Sequence, residues 1–78
     1  MIEKLKIKAI YDDFINSVHL TEEQINILNM MINKETIIKM SMEIGVSERT
    51  IGNEIRKIKN LYNKYYEMQL FKTQILLK

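Results

Sequence analysis

Residues 37–58 read IIKMSMEIGVSERTIGNEIRKI, and this stretch decides the fold. It divides at Gly45-Val46-Ser47. Gly45 can take the positive φ that ends a helix without a Cβ penalty, so it stops the first segment. Ser47 stands where the next helix needs an N-cap, its hydroxyl able to accept an orphan backbone N–H, and Glu48 follows in the first turn, where negative charge suits the dipole. Met40, Ile44, Val46, Ile51 and Ile55 supply a shared apolar seam, and the small Ser41 lets the two helices sit close. The pattern is a helix-turn-helix. In its second helix Ile51, Ile55, Ile58 and Tyr62 recur at intervals of four, three and four, leaving Arg49, Asn53, Arg56 and Lys57 on the opposite face.

Upstream, Thr21-Glu22-Glu23-Gln24 has the form of a capping box, with Thr21 and Gln24 satisfying each other's backbone donors and Leu20 placed to staple onto Ile25. Ile25, Leu28, Met31 and Ile32 continue as an apolar stripe that ends near Asn33-Lys34. Nearer the N-terminus, Lys4 to Ile10, KLKIKAI, alternates polar and apolar like a half-buried strand. Ile7, Ile10, Tyr11, Phe14 and Val18 nevertheless continue at helical spacing, and a lone strand has no partner elsewhere, so helix is the reading and strand the alternative. Proline is absent and glycine occurs only at 45 and 52, so the chain has few breakers. Fourteen isoleucines do not overturn this, because their spacing is mostly three or four. The expected fold is all-α, a compact helix-turn-helix domain of about four helices at about 3–18, 22–32, 36–44 and 48–75, the last a long C-terminal helix.

A chain of 78 residues with 46% apolar content can bury one small core. One domain is expected over 1–78, with 20–60 as the helix-turn-helix core and 61–78 as a C-terminal extension. Without cysteine there is neither a disulfide framework nor a thiolate metal site, which favours a reducing cytoplasmic setting. No apolar run approaches a membrane span, and the opening MIEKLKIKAI lacks the apolar block of a signal peptide, so no membrane association is expected. The net charge of +2 is lopsided. Between residues 10 and 35 one cation, Lys34, faces five carboxylates, whereas between 55 and 78 six cations face Glu67 alone.

Catalysis needs an activated nucleophile, or an acid and base within reach of each other. His19 is the only histidine and sits at a helix end, and Asp12 and Asp13 are adjacent on a helix and so diverge. Neither glycine has the neighbours of a phosphate-binding loop. The expectation is therefore no enzyme, no cofactor, no metal and no small-molecule ligand.

Residues 20–58, LTEEQINILNMMINKETIIKMSMEIGVSERTIGNEIRKI, resemble the DNA-binding domain of LuxR-type regulators and region four of sigma factors, over roughly half the chain. The resemblance rests on the opening Leu20-Thr21, the apolar Ile27-Leu28, the turn Gly45-Val46-Ser47, and Ser47-Glu48-Arg49-Thr50-Ile51 followed by Asn53 and Ile55. Two positions depart from the family pattern: Ser41 stands where alanine is usual, and Gly52 interrupts the second helix. Such domains lay that helix in the DNA major groove, which implies base-reading roles for Arg49, Thr50, Asn53 and Arg56. The chemistry suits this independently, since Arg donates bidentately to guanine and Asn to adenine, and Arg49 and Asn53 share a face. Lys57, Lys59 and, on the preceding helix, Lys39 suit phosphates. With Ser47 the expected DNA-contacting set is Lys39, Ser47, Arg49, Thr50, Asn53, Arg56, Lys57 and Lys59. The competing reading is a set of solubilising charges paired with Glu48 and Glu54. Gly52 either permits close approach to a partner or is a tolerated defect.

Beyond the motif the apolar pattern continues. A heptad can be written with Ile51, Ile58, Tyr65 and Lys72 at one seam position and Glu54, Leu61, Met68 and Ile75 at the other. Leu61, Tyr65, Met68, Phe71 and Ile75 form the expected dimer interface; the alternative is a tail folded back over Ile7, Ile10 and Phe14. The tyrosines at 62, 65 and 66 and the methionines at 30, 31, 40 and 42 are read as packing residues. The expectation is a small sequence-specific regulator of transcription that binds double-stranded DNA as a homodimer, and the richness in Ile, Lys and Asn resembles proteins from AT-rich genomes, such as those of low-GC bacteria and their phages. Its rival is a helix-turn-helix reused to bind protein, such as a phage-encoded inhibitor or an RNA-polymerase-associated factor, for which Glu48, Gly52 and Glu54 speak.

Overall fold

The computed structural model describes the backbone of residues 1–76 and side chains as far as Phe71. Among the described residues there are five helices and no strand: α1 (Ile2–Leu5), α2 (Lys8–Ser17), α3 (Glu22–Ile32), α4 (Ile37–Ile44) and α5 (Glu48–Leu76). The chain is all-α with a long C-terminal helix, as its breaker-poor sequence predicts.

The single N-terminal helix expected over 3–18 is broken in two at Lys6-Ile7, where Ile7 is extended (φ −80, ψ 116). Leu5 and Phe14 are both buried, at 2% and 0% exposure, yet they lie nine residues apart. At about 100° per residue they would point in opposite directions from one straight helix. The break at Ile7 lets both reach the same core. The alternating stretch is therefore neither strand nor continuous helix, and Ile7 is left 54% exposed.

α3 begins at the expected capping box, with Gln24 N–H donating to Thr21 Oγ1 and Thr21 N–H to Gln24 Oε1, each at 3.0 Å. It ends without glycine. Lys34 takes φ 61, and the amides of Lys34 and Glu35 donate back to the carbonyls of Met31 and Met30, a Schellman closure with a lysine in the left-handed position. Thr36 caps α4 by accepting from Lys39 N–H at 3.1 Å. Gly45, at φ 83, closes α4 with its amide on Ser41 O at 2.9 Å.

α3 and α4 both pack on α5, joined by Ile27, Leu28, Met30, Met40, Ile51 and Ile58. α1 and α2 close the remaining side. Phe14 meets the rings of Tyr62 and Tyr65 edge-on at 5.5 and 5.4 Å, and Tyr65 donates its phenol hydrogen to Asp13 Oδ2.

Three packing expectations need correction. Met42 is 79% exposed, because α4 turns Met40 inward and Met42 lies two residues, over half a turn, away. The heptad is not an intermolecular seam at Ile51, Ile58 and Tyr65, which are buried in the subunit's own core, while Glu54 is bonded to Gln24. Tyr65, at 7% exposure, thus has almost no surface left for a dimer partner. The fold-back alternative is half met: the middle of α5, not its end, covers Phe14, and Ile7 stays open.

Candidate nucleic-acid interface

The turn between α4 and α5 is held from three directions. Gly45 supplies the left-handed corner, Ser41 Oγ donates to Val46 O across it, and Ser47 Oγ accepts from Thr50 N–H at 3.1 Å to start α5. Ser41 thus ties the turn as well as letting the helices approach. The Ser47 hydroxyl also lies 2.9 Å from Thr50 Oγ1, so both hydroxyls are occupied within the cap.

From this fixed start α5 buries Ile51 and Ile58 and presents Arg49, Asn53 and Arg56 to solvent. Those three fall at i, i+4 and i+7 and make one stripe. Asn60, seven residues after Asn53, is exposed and extends it; the sequence reading missed Asn60, although the heptad interval was there to find it. Arg49, Arg56 and Lys59 are exposed and have no ion pair among the described residues.

The other expected contacts are placed differently. Lys39 is held by Glu35 at 3.0 Å and Glu43 at 3.9 Å, and its pKa is raised first by the Glu35 hydrogen bond and then by both carboxylate charges. Its charge is already answered within α4 and its approach. Lys57 pairs with Glu54 at 3.3 Å. Glu54 is turned toward α3, where its carboxylate accepts from Gln24 Nε2 at 2.9 Å. That bond lowers the Glu54 pKa against the opposing effect of burial, with Lys57 adding to the lowering. Of the carboxylates on α5, the one nearest these cations is therefore drawn off the solvent stripe, leaving Glu48 in the first turn. A Cβ on Gly52 would meet nothing within 4 Å, so nothing inside the subunit requires glycine there.

Comparison of the chain with protein-family models, curated proteins and solved structures finds no match.

Among the described residues no three His, Asp or Glu side chains gather as a metal site, and no helix is long and apolar enough to cross a membrane. α4 also carries an outward apolar face: Ile38 and Met42 are 60% and 79% exposed, one turn apart, beside Glu35 and Glu43. Of the residues expected at a dimer interface, Leu61 is half-buried against the core, Met68 and Phe71 are 59% and 63% exposed, and Ile75 lies outside the described side chains.

Proposed function

We propose that this chain is a small regulator that binds double-stranded DNA through α5 and acts by occupying its site. The observation carrying this is the solvent stripe of Arg49, Asn53 and Arg56, with Lys59 beside it, on the second helix of a helix-turn-helix and without an ion pair among the described residues. Arg49 and Asn53 supply donors suited to guanine and adenine edges, and Arg56 and Lys59 supply charge for phosphates. Lys39 and Lys57 join them only by leaving their carboxylates, which makes them weaker contributors than Arg56 and Lys59.

Titration of labelled duplexes selected from a random pool, repeated over a salt series, tests this reading. With two to four phosphates neutralised, by Arg56 and Lys59 and at most also Lys39 and Lys57, the log–log slope of affinity against salt should be about −2 to −4. A flat slope, or no binding at about 50 mM salt, removes the reading.

The exposed Ile38 and Met42 favour a second reading, in which the motif binds protein through α4. Glu35 and Glu43 share the one cation Lys39, which leaves a net negative charge that suits a partner with a basic rim and opposes a phosphate backbone. Ile38→Ser with Met42→Ser separates the two readings in the same titration: DNA affinity is unchanged under the first, whereas under the second DNA binding is absent in the parent as well.

A further inference from the structure

α5 outruns the core it serves. Its core-facing residues end with Tyr65, and Gln69 Nε2 makes a further tie to Asp13 Oδ2 at 3.3 Å. A different side of the helix carries Lys64, Glu67, Met68 and Phe71, which at about 100° per residue form one stripe lying roughly a third of a turn from the core face. These four residues line a shallow apolar cavity of about 460 Å³. Lys64 and Glu67 are exposed at its edge and have no ion pair among the described residues.

We propose that this stripe is an isologous docking surface for a second copy of the chain, with the two α5 helices antiparallel and crossing near Met68. A two-fold axis perpendicular to the helix reverses its direction and sets a stripe against itself. Lys64 precedes Glu67 by one turn, so the reversal brings each Lys64 against Phe71 of the other copy, with its ammonium reaching that copy's Glu67. Both Glu67 carboxylates then lie near the axis, each answered by the other copy's Lys64, so the four charges balance across the seam while Met68 and Phe71 fill it. DNA is a poor occupant, because Glu67 repels phosphate, and the subunit's own α2 already occupies a different side of α5. Stable interfaces bury roughly 1,200–2,000 Å² in total, and a seam two turns long buries less, so the dimer is weak and reversible, with a dissociation constant on the order of 10 μM.

Sedimentation equilibrium of the full chain from about 1 to 300 μM reads this directly. Lys64→Glu alone and Glu67→Lys alone each set like charges across the axis and should weaken the dimer about tenfold, whereas the double variant should recover to within about threefold of the parent. Phe71→Ser should weaken it at least as much. All these positions are exposed, and circular dichroism melts establish that the variants stay folded. A parent that is monomeric throughout, single reversals with no effect, or a double variant that does not recover each overturns the proposal. Arg49→Ala should leave the dimer constant unchanged, so loss of DNA binding and loss of association are separate results.

Discussion

Lys34 and Gly52 are each set against the backbone they occupy, in opposite senses. Lys34 holds the left-handed position of the Schellman closure at φ 61, where a Cβ is strained, while Gly52 lies within α5, where a Cβ would enter open space. Lys34→Gly should raise stability by about 0.5–1 kcal/mol and Gly52→Ala by about 1 kcal/mol, both read as higher urea midpoints at constant slope. Unmoved midpoints would show that these conformational costs are absorbed elsewhere. Arg49 is the residue on which base reading turns. Arg49→Ala should leave the melting temperature alone and cost about 1–3 kcal/mol at one position of a selected DNA site; equal affinity across sites before and after the change would remove its reading role. The caps at Thr21, Gly45 and Ser47 were legible as residue types, because each local hydrogen bond needs only its near neighbours. The αL turn at Lys34 was not, since lysine carries no signal for that conformation.

At the scale of elements, α5 has two packing duties along its length. Its first half completes the helix-turn-helix with α3 and α4, and its second half holds α2 through Tyr62 and Tyr65. Burial, reinforced by the neighbouring Asp13 carboxylate, pushes the Tyr65 phenol up to about 12 from 10.0. The folded chain holds that proton more tightly than the unfolded chain, so the associated stability is complete below pH 10.0 and is lost as pH rises toward about 12. Urea unfolding across that interval should show the decline, and Tyr65→Phe should flatten it; an equal alkaline decline in the variant would place the titrating group elsewhere. Gln24 ties α3 to α5 in the opposite pH direction. The lowered Glu54 pKa adds stability above the ordinary value of 4.5 that is lost as pH falls through the lowered one. Periodicity predicts one N-terminal helix because it weighs residues along one axis, whereas burying both Leu5 and Phe14 requires two axes.

Across the whole molecule, the long dimension of 49 Å against 20 and 17 Å follows from α5, whose 29 residues span about 43 Å at 1.5 Å each. A chain ending after Gln69 keeps Tyr65 and both tyrosine contacts to Phe14, so it should melt near the parent while associating less. One ending after Asn63 loses Tyr65 and should fall by about 3–5 kcal/mol, as deletion of a buried aromatic does. Equal melting of the two truncations would mean that the second half of α5 is dispensable to the core. By itself the sequence determined helix class, the capping box, the glycine corner and a face of Arg49, Asn53 and Arg56, because all of these depend on spacing within one segment. Only the tertiary structure decided which of the described cations are held by carboxylates, that Glu54 belongs to Gln24, that Tyr65 serves the core and that Met42 faces out. Those outcomes depend on which face of each helix its neighbours cover, and the mutual orientation of segments distant in sequence is set by packing.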